Sequence, residues 1–322
     1  MLKNRPEVSV LLAVYNERPE FLEKAIACIL NQSFRDFEFV ILDDGSTNTR
    51  MLQILDGFAQ KDMRIRLHRE PHRGLTKTLN VGLSLCRGRL ICRQDSDDWS
   101  EAERIEKQVE FMARYPEIAI VGTNVMLHQE NGARLWRSNL PIGSDDILKS
   151  FQIMNPFVHG SVCLRKVAAE KAGGYCESFR CSQDYDLFWK LCERYGAANL
   201  AEVLYHHRCT AGSVSSNNCY EQVLVATTVR RLAAERKSGI SKDIGEARKE
   251  VAMEIPVQKS EIYLFRQGDQ LVLAGRYGLA LRLFLGGFVK NPLSMIGPMK
   301  LVRLGLFFCI PPFRKRLFKV LH

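Results

Sequence analysis

Three carboxylates fall within four positions in LICRQDSDDW, residues 90–99: Asp95, Asp97 and Asp98. Two like charges 4 Å apart repel by roughly 1 kcal/mol even in water, so a cluster this dense calls for a positive partner. Hard carboxylate oxygens suit Mg2+ or Mn2+, and a divalent ion gripped by one or two carboxylates while it bridges phosphate oxygens is a recurrent arrangement. Asp95 and Asp97, two apart directly behind an apolar run, have the spacing for it. A bare D-x-D also occurs by chance as a solvated acidic turn, so its flanks have to decide. Two more polar clusters, Tyr15-Asn16-Glu17 and Asp43-Asp44-Gly45-Ser46, likewise follow apolar runs. Far downstream, Asp184 and Asp186 lie in SQDYDLFWKLCERYG, which reads as a helix with Leu187, Leu191 and Tyr195 at i, i+4 and i+8. Asp184 stands at its amino end, where the helix dipole favours a carboxylate.

The elements that must position these groups are legible from periodicity. VSVLLAV (8–14) is an apolar run of strand length, and Pro19 opens a helix in which Phe21, Leu22, Ala25, Ile26 and Ile29 recur at helical spacing. FEFVIL (37–42) is a second strand, ended by the turn composition DDGSTN. A helix from about Thr49 to Ala59, a short strand IRLH, and a helix with Leu75, Leu79, Leu83 and Cys86 on one face follow. RLIC (89–92) is the fourth strand. SEAE (100–103) reads as a capping box, with Ser100 as N-cap and Glu103 reaching back, for a helix that Pro116 terminates. IAIVGTN is a fifth strand. Strands alternating with helices imply an α/β fold, a mostly parallel sheet with right-handed crossovers whose ligands bind beyond the carboxyl ends of the strands. All three polar clusters sit there, so segments distant in sequence are expected to converge on one crevice. No G-x-G-x-x-G follows the first strand and no G-x-x-x-x-G-K-[ST] occurs in the chain, which disfavours a standard dinucleotide or P-loop site.

Composition bounds the rest. With 322 residues, 46% hydrophobic and 25% charged, the chain has room for one large domain and an appendage. MLKNRPEVSV lacks a signal-peptide core, so a cytoplasmic protein is expected. Ten scattered cysteines without a C-x-x-C pair read as reduced and buried rather than as a thiolate metal site. The charge is concentrated: from Phe265 to His322 ten Lys or Arg face one acid, Asp269, so this tail carries nearly all of the net +10. It also holds LALRLFLGGFV, PLSMIGPM and LGLFFCIPPF, with no uninterrupted apolar run of the ~18 residues a spanning helix needs. A basic, apolar tail suits the surface of an anionic membrane, peripheral at its inner face, or packing as ordinary helices against the catalytic domain. Its density of Leu and Phe argues against a nucleic-acid partner.

The strings VSVLLAVYNE, LNQSFRDFEFVILDDGST, GLTKTLNVGL, GRLICRQDSDDW and RIEKQVEFMARYP, continued by FVHGSVCLR, GGYCESFRCSQDYDLFWKL and YHHRCTAGSVS, resemble the family 2 glycosyltransferases of the GT-A fold over about residues 6 to 216. The resemblance implies a Rossmann-like catalytic domain over 1–217; past the motifs, helical runs read as a linker over 218–264 and a helical basic and apolar extension over 265–322. It implies inverting transfer of a sugar from a nucleotide diphosphate donor, UDP or dTDP by family habit, to a saccharide or lipid-linked acceptor in cell-surface polysaccharide biosynthesis. Sugar transfer directly to polyprenyl phosphate, or a nucleotide-sugar-binding scaffold without turnover, are the alternatives. Asp184 resembles the catalytic base, which removes the acceptor hydroxyl's proton. Asp97 resembles the principal ligand of Mn2+ or Mg2+, with Asp95 nearer the ribose and second to the metal. Asp44 resembles the acid that contacts the base, in a pocket lined by the backbone around Ala13 and Tyr15 and continued by Asn16 and Glu17. Its other reading is a turn aspartate bonded to its own backbone. Arg73 and Lys77 face the base or phosphates, or are solvated helix charges. By the same resemblance His159 is expected near the donor sugar, and Arg208 is expected to neutralise the diphosphate. The chain departs from the family pattern twice: Gln183 stands where many relatives have Glu, and Arg208-Cys209-Thr210 where many read R-x-H, so no histidine metal ligand is expected at that position. His206 and His207 lie just upstream.

Overall fold

The computed structural model describes residues 5–210, 219–254 and 261–290. Its central sheet grows from β1 (Val8–Val14), which is buried along its whole length because it lies inside a sheet covered on both faces. β1 pairs in parallel with β2 (Phe37–Asp43) on one side and β4 (Leu90–Arg93) on the other, and β2 pairs in parallel with β3 (Ile65–Arg69). The registers Val8↔Phe37 and Val8↔Leu90 bring the carboxyl ends of β1, β2 and β4 to one edge.

The crossovers are helices whose apolar faces the sequence announces. α1 (Pro19–Leu30) has Pro at its start and buries Phe21, Leu22, Ala25, Ile26 and Ile29. α2 (Thr49–Lys61) is capped by Asn48, whose side chain accepts from the Met51 amide at 3.1 Å. α3 (Leu75–Leu85) lies so close to the sheet that a methyl group at Gly82 would sit 2.4 Å from the Leu11 side chain. Each large aliphatic group buried in this way contributes about 1.5–3 kcal/mol.

Beyond β4 the order continues β8 (Cys163–Arg165), β6 (Ile118–Gln129), β9 (Gly196–Cys209) and β5 (Trp99–Ser100), with β7 (Arg134–Arg137) on β6. β8 runs antiparallel to both β4 and β6. The run IAIVGTN therefore points the same way as the first four strands, yet β8 is inserted between it and β4.

The capping box at Ser100 does not form. Ser100 is drawn into β5 by its pairing with Tyr205 of β9, and the next helix, α4 (Arg104–Arg114), starts with Glu103 at the N-cap and no side-chain cap of its own. Its buried first-turn amide at Ile105 donates instead to Gln32 Oε1 at 3.0 Å. Tyr115, restricted by Pro116, ends it.

Two compact units result, one comprising the chain up to Met126 with Arg137–His207, the other Leu127–Trp136 with the chain from Arg208 onward. In the second, α8 (Cys219–Lys237) and α9 (Ile244–Glu254) bury Leu224, Val225, Val229, Leu232, Ala247 and Val251. Arg231 pairs with Glu250 and Glu254. These two helices fall in the stretch read as a helical linker. α10 (Glu261–Leu273) and α11 (Tyr277–Lys290) follow, with Tyr277 accepting from Gln129 Nε2 at 2.6 Å. Residues 291–322, most of the basic tail, and the GSVS motif at 212–215 lie outside the described residues. Among the described residues no helix is long and apolar enough to cross a membrane.

Candidate active site

The three loops at the carboxyl edge are tied to one another by their own side chains. Asn16 takes a left-handed φ of 46°, and its Oδ1 accepts from the Thr47 and Asn48 amides at 2.8 and 3.1 Å, fastening the β1 loop to the β2 loop. Glu17 Oε2 accepts from Ser96 Oγ at 3.0 Å, fastening the β1 loop to the acidic turn. Tyr15, half-exposed, stacks on His72 at 4.0 Å between ring centroids. Ala13 lies within β1, opposite Leu42.

Asp44 is almost fully buried and its carboxylate is heavily engaged. Oδ1 accepts from the Arg73 amide and Thr78 Oγ1, both at 2.8 Å; Oδ2 accepts from the Gly74 amide at 2.9 Å and faces His72 Nδ1 at 2.9 Å. It caps the start of α3, where unpaired amides favour an anion. The aspartate bonded within its own turn is Asp43, through the Ser46 amide at 3.0 Å. A base reaching Asp44 would have to displace one of these donors. Arg73 pairs with Glu70 at 2.6 Å, and Lys77 is exposed on α3.

At the end of β4 the charges are arranged unequally. Arg93 is fully buried and donates through Nη1 to the Leu11 and Gln94 carbonyls, at 2.6 and 2.8 Å, and through Nη2 to Asp95 Oδ1 at 2.5 Å. Burial pushes the Asp95 carboxyl up, but Arg93, with smaller help from neighbouring histidines, holds it below the usual range. Asp97 goes the other way: burial, then the negative charges of Asp98, Glu17 and Asp95, raise it well above. Asp98, itself buried, is occupied by Tyr205 Oη at 2.9 Å and His207 Nδ1 at 3.0 Å. Burial opposes protonation of His207, yet Asp98 and then Asp97 and Asp95 raise it to about 9. Tyr205 Oη also accepts from the Asp95 amide at 3.2 Å, so one buried hydroxyl spans the acidic turn. A methyl at Gly160 would lie 1.8 Å from that oxygen and 2.6 Å from Asp95 Oδ2; only glycine fits there.

Negative charge is therefore most crowded around Asp97, where His207 opposes it in part, and the all-oxygen donors of the turn fit Mg2+ or Mn2+. Among the described residues no three His, Cys, Asp or Glu are gathered to hold an ion alone.

Asp184 stands in the first turn of α7 (Gln183–Arg194), after Ser182 in a left-handed conformation. Its Oδ2 accepts from Asn155 Nδ2 at 2.8 Å. Burial raises its carboxyl to about 6, against backbone hydrogen bonds; Asp95 adds to the rise and Arg93 opposes it, so the two aspartates lie within electrostatic reach. Asp186 is buried and paired with Lys190 at 2.7 Å. His159, in a short 3-10 turn His159–Ser161, meets Arg93 Nε at 3.3 Å and Tyr175 Oη at 2.9 Å. Arg208 belongs to the second unit, where it is buried and donates to the Glu130 carbonyl at 3.0 Å. His206 is sandwiched by other means, stacked on Trp99 and bonded to Glu101.

Arg93, Tyr205, Tyr175, Asn155 and His72 escaped the sequence reading. Arg93 alone carried a signal, a charge at the end of a strand buried on both faces.

The profile of Glycosyl transferase family 2 matches residues 9–173. The amylovoran biosynthesis glycosyltransferase AmsE of Erwinia amylovora is 31% identical over 227 residues, covering 70% of this chain and 84% of that protein. Among solved structures, S. aureus TarS 1–349 in complex with UDP superposes with a TM-score of 0.56 at 14% identity, over 91% of this chain and 87% of the other. The mannosyltransferase PcManGT from Pyrobaculum calidifontis, in complex with GDP-Man and Mn2+, gives 0.53 at 14% identity, over 98% and 84%. At such identities the structures establish the GT-A fold and nothing finer.

Proposed function

Because this chain belongs to glycosyl transferase family 2, we propose that it is an inverting transferase moving a sugar from a nucleotide diphosphate donor to a saccharide or lipid-linked saccharide. The likeness to a protein of amylovoran biosynthesis supports a polysaccharide acceptor, and the fold shared with UDP- and GDP-Man-bound transferases supports a nucleotide sugar. Asp184 is the general base. It is ionised at neutral pH yet raised to about 6, close to the operating pH where a base combines availability with proton affinity. It takes the acceptor hydroxyl's proton as that oxygen attacks the anomeric carbon and the bond to the diphosphate breaks. Asn155 keeps its carboxylate oriented. Asp97 and Asp95 are the residues that would hold Mn2+ or Mg2+, which would supply positive charge to the departing diphosphate. Tyr15, stacked on His72, offers a face for the base; Asp44 acts by fixing the backbone at Arg73 and Gly74.

The observation that carries this reading is that the carboxylate cluster in the turn after β4 lies, through Asp95, within electrostatic reach of Asp184 in the first turn of α7. Calorimetric titration of UDP, GDP and dTDP, with and without Mn2+, into wild type and Asp97→Ala tests it. One nucleotide binding only with metal, and lost in the variant, is the expected result; no binding in any combination overturns it.

We also assign the basic C-terminal extension to an anionic membrane surface. In α11, Leu281, Leu285 and Val289 are exposed one turn apart, beside Arg282. Sedimentation with vesicles of anionic and neutral lipid, for the full chain and for Leu281→Asn/Leu285→Asn, is the test. Binding only to anionic vesicles, weakened in the variant, is expected.

A further inference from the structure

His159 has a charge state and a tautomer fixed by its neighbours. The Arg93 guanidinium has no lone pair to offer and stays protonated in proteins, so its Nε–H, 3.3 Å from His159 Nε2, must find a lone pair there. Were Nε2 protonated, two N–H groups would face each other beside a fully buried guanidinium. Tyr175 Oη, 2.9 Å from the same nitrogen, then donates to the shared lone pair. The proton of the neutral ring is therefore on Nδ1. Burial and the adjacent Arg93 charge, opposed by Asp95, lower the imidazole to about 3, in keeping with a ring that stays neutral. The ring is braced against Tyr175 and Phe188, at centroid distances of 5.6 and 5.9 Å.

Nδ1 has no hydrogen-bond partner among the described residues, and His159 is only half-buried, so this N–H is open to a ligand. Its surroundings are those of the reacting centre. Arg93 holds His159 through Nε and Asp95 through Nη2, and Tyr175 is within electrostatic reach of both Asp184 and Asp95. We propose that His159 is an uncharged hydrogen-bond donor that presents Nδ1–H to an oxygen of the nucleotide-sugar donor, with Arg93 and Tyr175 as the positioning residues that lock its tautomer. This rests on the nucleotide-sugar reading above. The acceptor oxygen belongs either to the sugar hydroxyls or to the diphosphate; both are the same chemistry, a ligand oxygen with a free lone pair.

The experiment is nitrogen-15 NMR of the imidazole rings in full-length protein labelled at its seven histidines, with His159 identified by the signal missing in His159→Asn. A protonated Nδ1 and a bare Nε2, unchanged from pH 5.5 to 8.5, are expected without any ligand; the opposite tautomer, or protonation in that range, overturns the proposal. Arg93→Lys keeps the charge but removes Nε–H, and is expected to produce a mixture of tautomers; an unchanged signal would deny Arg93 its part. Ligands are then added with Mg2+. A shift of Nδ1–H with UDP or GDP alone assigns the diphosphate; one that needs UDP-GlcNAc, UDP-glucose or GDP-mannose assigns the sugar. If calorimetry records nucleotide-sugar binding while Nδ1–H does not move, the ligand assignment is wrong though the nucleotide-sugar reading stands. If no nucleotide binds, that reading fails and takes the assignment with it. In turnover, Asn at 159 retains a donor near Nδ1 and should lose about tenfold in kcat/KM, against about a hundredfold for His159→Phe.

Discussion

Asn155 donates its Nδ2–H to Oδ2 of Asp184 across 2.8 Å, from a segment 29 residues upstream of that aspartate. Burial, with a smaller contribution from Asp95, raises this carboxyl to about 6 against backbone hydrogen bonds and the Arg93 charge. The rate should therefore climb with pH through about 6 and level off above it, in kcat/KM, as a base that must be deprotonated requires. Asn155→Ala removes a donor that stabilises the carboxylate and should move this limb upward by on the order of half to one pH unit. An unmoved limb would separate Asp184 from the titration. Asp184→Asn should lower kcat by roughly 10²–10⁴-fold and leave nucleoside diphosphate binding intact.

The same shift has a stability consequence of opposite sense to function. A carboxyl whose folded pKa is raised favours the fold when protonated; that contribution is complete below the unfolded value of 3.8 and is lost as pH rises through about 6. Asp184→Asn, with no charge to bury, should then be more stable than wild type at pH 8, by on the order of 1–3 kcal/mol. The gap should close as pH falls from 6 toward 4. Urea midpoints across that range measure it, and a constant difference would argue that Asn155 or other contacts, not ionisation, set it.

Tyr205 and Gly160 together hold the acidic turn. Tyr205→Phe deletes the hydroxyl that donates to buried Asp98 and accepts from the Asp95 amide. The cost is about 1–3 kcal/mol of stability, with metal-dependent nucleotide affinity lowered about tenfold because the turn is no longer pinned. Gly160→Ala forces a methyl into the Tyr205 oxygen and should cost more, roughly 3 kcal/mol. Equilibrium unfolding ranks the two; calorimetry with Mn2+ tests the affinity. A Tyr205→Phe protein with unchanged affinity would reduce the residue to packing.

Asn16 stitches two loops while holding a left-handed φ. Asp keeps the acceptor and tolerates that conformation, Gly keeps only the conformation, and Ala keeps neither. Stability should fall in the order Asn, Asp, Gly, Ala, with Ala about 1–2 kcal/mol below wild type. The order is checked by thermal unfolding. A Gly variant equal to wild type would mean that backbone geometry, not the hydrogen bonds, matters.

What the sequence made legible was everything periodic. The apolar runs of β1, β2 and β4 and the stripe of α1 announce a sheet with helices on it, and the strand ends then locate Asp44, Asp95 and Asp97. What it hid was everything made by contact at long range. Tyr205 Oη meets the acidic turn across 107 residues and Asn155 meets Asp184 across 29, and no local pattern encodes such pairs. Arg93 lay between the two kinds: its charge at the end of a buried strand is a visible anomaly, but which groups absorb it is not.

Ser100 makes the same point in testable form. S-x-x-E before an apolar helix is a good local signal for a cap, yet Ser100 is drawn to β9, and Gln32, fully buried just past the end of α1, takes over the role. Its Oε1 accepts from the Ile105 amide while Nε2 donates to the Cys28 and Glu101 carbonyls. Gln32→Ala leaves all three without that partner and should cost about 2–3 kcal/mol. Ser100→Ala removes a hydroxyl bonded to Gln94 Oε1, and should cost about 1 kcal/mol. Hydrogen exchange separates the mechanisms directly: the Ile105 amide should stay protected in Ser100→Ala and exchange quickly in Gln32→Ala. Fast exchange in Ser100→Ala instead would restore the capping box that the β5–β9 pairing displaces.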